Sequence, residues 1–371
     1  MTIKVHFDDQ IFQLQKHGGI SKYFSQLIKE FNLRPELGIQ PVVSTFRTAN
    51  HHLLNDSGLT SIKKSRGFFG PLRLVFQSIF SGRKSLNEID LVHFTFYLPG
   101  FFFRNRGLPT VSTVHDMIPE KFPEPGRFWN PHFSKKSYLK KSDLVISVSK
   151  TTAKDMAEIL NITRSVTTTY LGVGPEFQPG LSSPDGLSSP YFLYVGNRNG
   201  YKDFQTCIYA FAVIAGNNPN VRLQLVGGGS PTKSEKKTMR ALGVEELVFQ
   251  KDVPSDQLPN YYSAATALLY SSRYEGFGLP LVEAMASGIP ILCANSAINS
   301  EVCGSAGNYF EPGDSHELAQ LMSKVLQAPE NFENKVEVGL EKSKIYSWRR
   351  CAEETAMAYR SLLSQKEGRG F

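Results

Sequence analysis

Residues 267–290 read ALLYSSRYEGFGLPLVEAMASGIP, and their order predicts a strand, a short turn and a helix. The strand is the apolar run 267–270. Pro280 suits the first helical turn, where its missing N–H costs nothing. Gly288 and Pro290 end the helix with a C-cap glycine and a helix breaker. A strand followed at once by a helix is typical of the βα units of parallel sheets.

The turn in this stretch can bind a ligand. Gly276 and Gly278 leave backbone N–H groups open at a helix N-terminus, where partial positive charge favours phosphate or oriented hydroxyls. Glu275 in the turn and Glu283 in the helix could then bond two parts of one ligand. The alternative is an acidic loop followed by a solvated helix glutamate.

The segment resembles the Glu-x7-Glu signature of retaining glycosyltransferases of family 4, which have the GT-B fold. Tyr274, Pro280 and the Ala-Ser-Gly that ends the helix also fit the pattern. The resemblance implies that Glu275 lies beside the donor sugar and that Glu283 bonds the ribose. It assigns contacts with the donor to the backbone between them, at Gly276, Phe277, Gly278 and Leu279.

Size and composition indicate a soluble globular protein of two domains. The 371 residues exceed what a single core usually holds, and 41% are hydrophobic and 20% charged. Apolar runs are too short for a membrane-spanning helix, and Asp8 and Asp9 stand where a secretory signal needs an apolar core. The four cysteines form no Cys-x-x-Cys pair, which favours reduced thiols over a disulfide or metal role. We therefore expect a cytoplasmic protein.

Charge is unevenly distributed along the chain. Residues 1–180 hold 23 Lys and Arg against 14 Asp and Glu, a net charge of +9, and the remainder has a net charge of −2. This asymmetry predicts an anionic partner for the first half. Nucleic-acid motifs are absent from the sequence, so an anionic membrane surface or a pyrophosphate-bearing acceptor fits better. Segments 63–84 and 101–104 mix aromatic residues with cations, as an interfacial segment or a buried helix with basic caps would.

Apolar runs alternate with helical patterns throughout, so the fold class is α/β. Strands are predicted in the first half at 3–7, 42–45, 91–94, 110–114 and 144–148, and in the second half at 191–195, 221–226, 247–250, 267–270 and 291–294. With the resemblance, this predicts a GT-B fold of two doubly wound Rossmann-like domains with an interdomain cleft. The domains are residues 1–180 and 181–347, joined through the Pro-, Gly- and Ser-rich stretch 178–190, and 348–371 is a crossover helix returning to the first domain.

The loop 196–202 follows a predicted strand and carries Arg198 and Lys202 between glycines. Two cations beside helix N–H groups suit a diphosphate whose charge grows as a glycosidic bond breaks, although solvated surface is the ordinary reading of such a loop. The resemblance assigns them to the donor phosphates. It also assigns Gly227 and the segment around Val253 to the nucleotide pocket, where a flexible glycine turn is the alternative.

Two further features lie in the first half. Gly18 and Gly19 open a helix after the first strand and could approach the donor diphosphate, or could form a simple helix start. His115 and Asp116 follow the strand 110–114, where a polar pair is well placed for chemistry. A lone histidine is more often structural, but the resemblance implies that His115 contacts the donor sugar, with Asp116 as its neighbour or an acceptor contact.

Together these features predict a retaining hexosyltransferase without a metal cofactor. The sequence has no Asp-x-Asp, so Arg198, Lys202 and helix-end amides must meet the leaving-group charge. The resemblance favours GDP-mannose as donor, then a UDP-hexose, and a glycan or polyprenyl-diphosphate-linked acceptor in surface-polysaccharide assembly. We expect a monomer or weak dimer that binds no nucleic acid. The alternatives are a phosphorylase or hydrolase of the same fold, or a nucleotide-sugar or polyanion-binding protein without transferase activity.

Overall fold

The computed structural model describes residues 2–43, 47–59, 62–64, 88–98, 107–123, 134–162, 166–184, 189–198 and 200–367. The chain divides into two compact units, residues 1–171 with 348–371, and residues 172–347. Among the described residues, no helix combines the length and the apolar character needed to span a bilayer. The cation-rich stretches 65–84 and 101–104 lie outside the described residues.

The first unit is built on a parallel sheet of six strands, in the order β2-β1-β5-β6-β7-β8. Two further strands, β3 and β4, pair with each other. The strands are β1 (Ile3–Phe7), β2 (Ile39–Val43), β3 (Arg47–Thr48), β4 (Lys63–Lys64), β5 (Leu91–Phe94), β6 (Thr110–Val114), β7 (Leu144–Ser147) and β8 (Val166–Thr168).

Helices of the first unit connect these strands. They are α1 (Gln10–Leu14), α2 (Gly19–Leu33), α3 (His51–Asn55), α4 (Ile118–Lys121), α5 (Lys135–Lys141), α6 (Lys150–Leu160) and, from the C-terminus of the chain, α14 (Trp348–Glu367). Helix α14 packs on α2, where the rings of Phe31 and Tyr359 lie 6.2 Å apart. The strand order reverses between β1 and β5, so the residues that follow these two strands meet at the switch point of the sheet.

The second unit repeats this architecture with six parallel strands in the order β11-β10-β9-β12-β13-β14. This is the doubly wound order with its switch point between β9 and β12. The strands are β9 (Tyr191–Val195), β10 (Arg222–Val226), β11 (Val248–Lys251), β12 (Ala267–Tyr270), β13 (Ile291–Ala294) and β14 (Gly307–Phe310). The helices are α7 (Phe204–Asn217), α8 (Lys233–Ala241), α9 (Leu258–Ser263), α10 (Leu279–Ala286), α11 (Ala297–Cys303), α12 (Ser315–Gln327) and α13 (Glu333–Ser343).

Burial explains why the central strands of the second unit read as continuous apolar runs. Every residue of β12 and β13 is buried, because helices cover both faces of the parallel sheet. One face packs against α7 and α12, whose apolar residues share a core with those strands. The predicted fold of two parallel-sheet Rossmann-like domains is confirmed.

The boundary between the units falls between Leu171 and Gly172, earlier than the predicted boundary at residue 180. Val173 pairs with Ser347 and Phe177 packs on the Tyr262 ring, so this segment joins the second unit. The stretch predicted as a linker also bonds to that unit, since the amide of Leu181 donates to Ser263 Oγ at 2.9 Å. Residues 181 and 182 of this stretch therefore bond to α9 of the second unit, since the side chain of Asn260 also donates to the carbonyl of Ser182 at 2.9 Å.

Candidate active site

Two loops meet at the switch point of the second unit. The first leaves β9 and forms a 3-10 turn at Gly200–Lys202 before α7, and the second leaves β12 and leads to α10. Ser271 Oγ donates to the carbonyl of Lys202 at 2.7 Å, and the amide of Arg273 donates to the carbonyl of Tyr201 at 2.9 Å. These bonds fix the loop that holds Lys202 against the loop that holds Glu275.

Lys202 and Glu275, both predicted as catalytic, form an ion pair between Lys202 Nζ and Glu275 Oε1. Their side chains are 18% and 10% exposed, so the pair is largely shielded from water. Shielding strengthens the attraction, and it also makes either charge costly to leave without a partner. The sequence places the two residues in one site but does not predict that they bind each other.

Arg198 is held by the protein on several sides. Its Nε donates to Glu235 Oε1 at 2.9 Å, and its two terminal nitrogens donate to carbonyl oxygens of the glycine turn that follows β10. The shortest of these bonds runs from Nη2 to Gly229 at 2.8 Å. Four of the five guanidinium N–H groups are thus directed at protein oxygens, and the side chain is 4% exposed.

The glycine turn after β10 requires glycine for two reasons. Gly227, Gly228 and Gly229 have φ values of 74°, 71° and 69°, in the left-handed region that favours glycine. A β-carbon at Gly228 would also lie 2.5 Å from the carbonyl oxygen of Gly196 and 2.9 Å from Arg198 Nη1. The turn containing the predicted residue Gly227 is therefore in direct backbone contact with the Arg198 loop.

The start of α10 is fixed by its glycine and its aromatic residue. Gly278 is the N-cap with φ of 100°, and Leu279 is the first helical residue. Phe277 is buried with its ring edge-on to Tyr346 at 5.5 Å, so it anchors the turn in the core. The Phe277 side chain is thus held in the core, so a donor contact of this residue would come from its backbone, as the resemblance implies.

Glu283 lies on α10 and is 4% exposed. Tyr262 Oη donates to Glu283 Oε2 at 2.8 Å, which orients the carboxylate. Burial and this carboxylate together raise the pKa of Tyr262 well above its ordinary value. Tyr262 is thus a positioning residue that the sequence analysis missed. Val253 follows β11, two strands away from β9 in the sheet.

In the first unit, the predicted histidine contacts the helix that the glycines open. Gly18 is the N-cap of α2, and Gly19 is its first residue. On the same helix, the rings of Tyr23 and Phe24 pack edge-on to His115 at 5.1 and 5.7 Å. Asp116 accepts from the amide of Ile118 at 3.0 Å, so its carboxylate helps to start the next helix.

A buried polar network that the sequence did not indicate joins strands β5 and β6 to helix α14, close to His115. His93 Nδ1 is 2.6 Å from Tyr359 Oη, and its Nε2 is 2.8 Å from Thr113 Oγ1. Thr113 Oγ1 is in turn 3.5 Å from Tyr23 Oη. Burial, with His115 nearby, lowers the pKa of His93 to about 3, so it is neutral in the folded protein. The network ties the C-terminal helix α14 to the strands beneath His115.

Asp8 is a second missed residue, at the switch point of the first sheet. It follows β1 directly and accepts from the amide of Thr95, which follows β5, at 3.0 Å. Burial outweighs its hydrogen bonds and raises the pKa of Asp8 to about 7. The available signal was a carboxylate directly after a predicted parallel strand.

Comparisons with known proteins describe both halves of the chain. Residues 17–177 match the family model for glycosyltransferase family 4, and residues 183–339 match that for glycosyl transferases group 1. The chain is 28% identical to the O-antigen chain mannosyltransferase B of Escherichia coli over 289 residues, covering 74% of this chain and 76% of that protein. It is 25% identical to an MMP alpha-(1->4)-mannosyltransferase of Mycolicibacterium hassiacum, covering 70% and 67%.

Among solved structures, the Anabaena protein HepE, crystallised with UDP and glucose, aligns with a TM-score of 0.74 at 19% identity. The alignment covers 97% of this chain and 100% of that one. The family 4 model begins after β1 and covers the other strands of the first sheet, the group 1 model covers all six strands of the second sheet, and the structural likeness extends over both units. The chain belongs to glycosyltransferase family 4, has the GT-B fold, and is a hexosyltransferase.

Proposed function

We propose that this enzyme moves a hexose from a nucleotide sugar to a glycan or polyprenyl-diphosphate-linked acceptor, with retention at the anomeric carbon and without a metal ion. The observation that carries the proposal is the Lys202–Glu275 ion pair at the switch point of the second sheet. A cation and a carboxylate at that edge, next to the N-terminus of α10, provide complementary groups for a sugar diphosphate.

Each residue has a role in this proposal. Lys202 and Arg198 neutralise charge on the departing diphosphate, which is where electrostatic stabilisation contributes most. Glu275 and the amides of residues 276–279 orient the sugar, and Glu283 binds the ribose. His115 contacts the sugar. The acceptor hydroxyl attacks the anomeric carbon on the face from which the phosphate leaves, and the departing phosphate takes the proton of that hydroxyl.

Mannose is the sugar that the relatives favour, because both reported relatives are described as mannosyltransferases. GDP-mannose is therefore the first donor, and a UDP-hexose is the second, since the structural neighbour was crystallised with UDP and glucose. The net charge of +9 on residues 1–180 supports an anionic acceptor or membrane surface for the first unit.

A donor panel with product analysis tests the proposal. The purified enzyme is incubated with GDP-mannose, UDP-glucose, UDP-galactose or ADP-glucose, together with short mannosides and polyprenyl-diphosphate saccharides. We expect GDP-mannose to give the highest kcat/KM, and NMR to show an α-linked product from the α-linked donor. An inverted product would contradict retention. Hydrolysis or phosphorolysis without transfer would favour the alternatives of the same fold.

A further inference from the structure

Tyr270, the last residue of β12, has a buried hydroxyl without an evident structural role. The residue is 4% exposed, and its Oη completes no well-aligned hydrogen bond with any residue in the described part of the chain. A buried polar group in that condition costs about 1–3 kcal/mol, so it calls for an explanation. A phenylalanine would fill the same space without that cost.

The hydroxyl faces the site already described. A β-carbon at Gly278 would lie 3.3 Å from Tyr270 Oη, which puts the oxygen beside the turn that starts α10. Lys202 Nζ is 6.0 Å from the centre of the Tyr270 ring. Burial first, then the charge of the Glu275 carboxylate, and then a hydrogen-bonding approach of that carboxylate to Tyr270 Oη raise the pKa of Tyr270 well above its ordinary value. The approach is too poorly aligned to complete the bond while Glu275 pairs with Lys202. Tyr270 is therefore a neutral hydroxyl next to Glu275.

A second tyrosine near Glu275, Tyr194, already donates its hydroxyl hydrogen to another acceptor. The Glu275 carboxylate also contributes to the raised pKa of Tyr194, after burial and Cys207. Tyr194 Oη, however, donates to the carbonyl of Asn197 at 2.9 Å and so helps to hold the Arg198 loop. Of these two hydroxyls, that of Tyr270 is the one available to donate a hydrogen bond to Glu275.

The Lys202–Glu275 ion pair explains why Glu275 would need a second hydrogen-bond donor. Lys202 cannot pair fully with both the Glu275 carboxylate and a diphosphate. Binding of the nucleotide sugar therefore weakens or breaks the Lys202–Glu275 ion pair. A carboxylate that is 10% exposed would then lose its cation, which is strongly unfavourable in a shielded site. We infer that Tyr270 is a positioning residue: its hydroxyl donates a hydrogen bond to Glu275 when Lys202 turns to the donor diphosphate. The inference rests on the proposed role of Lys202 as a phosphate ligand.

A substrate-free experiment tests the hydrogen bond. Lys202→Met removes the cation and keeps most of the side-chain volume, so Glu275 should turn to Tyr270. We expect Tyr270→Phe to leave the melting temperature of the wild-type protein unchanged or slightly raised, and to lower that of the Lys202→Met protein by about 2–4 °C. A fall in melting temperature that appears only in the Lys202→Met background would report a hydrogen bond between Tyr270 and Glu275.

Tyr191→Phe is the matched control for the substrate-free cycle. Tyr191 is also buried and lies on the neighbouring strand β9, and its hydroxyl donates to the carbonyl of Tyr261 at 2.8 Å. This substitution should lower the melting temperature equally in both backgrounds. If Tyr270→Phe behaved like this control, or had no effect in either background, the inference would be wrong whether or not the enzyme transfers mannose.

The kinetic experiment uses the same variant with the full enzyme and its donor. Tyr270→Phe should lower kcat about tenfold with the donor KM changed less than about twofold, because the bond forms only after the donor binds. In the Glu275→Gln background it should have little further effect. Wild-type kcat in Tyr270→Phe, or an equal loss in both backgrounds, would contradict the positioning role. Absence of turnover in the wild-type enzyme would instead count against the proposed function.

Discussion

Arg198 Nη2 donates to the carbonyl oxygen of Gly229 at 2.8 Å, while Arg198 Nε donates to Glu235 at 2.9 Å. A residue that the sequence assigns to phosphate binding is therefore also a clamp on the glycine turn. The planar fork of arginine makes this possible, because it directs several N–H groups at once.

We expect Arg198→Lys to be nearly as damaging as Arg198→Ala. A lysine keeps the charge but has a single nitrogen, which cannot replace the three guanidinium nitrogens that bond Glu235 and the glycine turn from separate positions, so the turn is released in both variants. Each should lower kcat/KM for the donor by about 10²–10³-fold and weaken nucleoside-diphosphate binding. Calorimetric titration with GDP and UDP, alongside steady-state kinetics, measures both effects.

Arg240→Ala is the control for that comparison. Arg240 forms an exposed ion pair with Glu245 on the same unit, and such pairs contribute little. Its kinetics should match those of the wild type. Full activity in Arg198→Lys, with a loss in Arg198→Ala, would mean that charge alone matters and that the clamp on Gly229 does not.

Glu275 and Glu283 should differ in what they contribute. Glu275→Gln should lower kcat more than it raises the donor KM, because in the proposed mechanism its carboxylate orients the sugar during transfer. Glu283→Gln should act mainly on donor KM, and its amide oxygen can still accept from Tyr262. Steady-state kinetics with the donor varied separates the two. Similar effects from both substitutions, or none from either, would overturn this division of roles.

Local pattern predicts much of this fold. The runs 191–195, 267–270 and 291–294 are apolar because their strands are buried on both faces, and the structure has strands at those positions. Helix α8 illustrates the limit, since only Met239 of its nine residues is buried and it shows no apolar stripe. The capping box of Thr232 and Glu235 was the signal that could have found it.

Pairings between distant residues could not be predicted in this way. Lys202 and Glu275 are 73 positions apart, and His93 and Tyr359 are 266 apart. Such contacts depend on the order of strands in the sheet and on the return of the C-terminal helix, neither of which is encoded in a local window. Sequence reasoning placed Lys202 and Glu275 at one edge of the second sheet, where the structure brings them together, and the structure added the neighbours Glu235, Tyr262 and Tyr270.

Asp8 should make the stability of the protein depend on pH. Its pKa is about 7 in the folded protein against an ordinary 3.8, so between these values the folded state holds a proton that the unfolded state has lost. The contribution of Asp8 to the free energy of unfolding should therefore fall as pH rises through this window, by up to about 1.4 kcal/mol per pH unit. His93, whose pKa is lowered from 6.5 to about 3, contributes a slope of the opposite sign below pH 6.5, so the Asp8 contribution is read from the difference between the wild type and a variant. Melting temperatures at pH 4.5 to 7.5 measure the slope.

Asp8→Asn should remove the Asp8 contribution, because the amide does not titrate and its oxygen can still accept from Thr95. Between pH 3.8 and 6.5 the melting temperature of the variant should then rise more steeply with pH than that of the wild type, since His93 no longer has an opposing group. Asp252→Asn is the control, since Asp252 is exposed and follows β11 in the other unit. It should leave the slope unchanged. A slope in Asp8→Asn equal to that of the wild type would show that another group is responsible.

Activity should survive removal of divalent metal ions. In the proposed mechanism the diphosphate charge is met by Lys202, Arg198 and the amides at the start of α10, so a metal clamp has no assigned function. Turnover in excess EDTA should equal that of the untreated enzyme. A full loss that Mg²⁺ or Mn²⁺ restores would contradict metal independence.

The first unit should bind anionic membranes reversibly. Residues 1–180 carry a net charge of +9, and each Lys or Arg near an anionic surface contributes about 1 kcal/mol. Salt screens this attraction over about 10 Å at 0.1 M, so binding should fall as ionic strength rises. Flotation with vesicles of neutral lipid, or of neutral lipid mixed with an anionic lipid, at low and high salt measures it. Binding that needs anionic lipid and weakens with salt would give the enzyme access to lipid-linked acceptors from the membrane surface. Equal binding to both vesicles, or none at low salt, would contradict membrane association and favour a soluble acceptor, with the positive charge acting only as a solubilising surface.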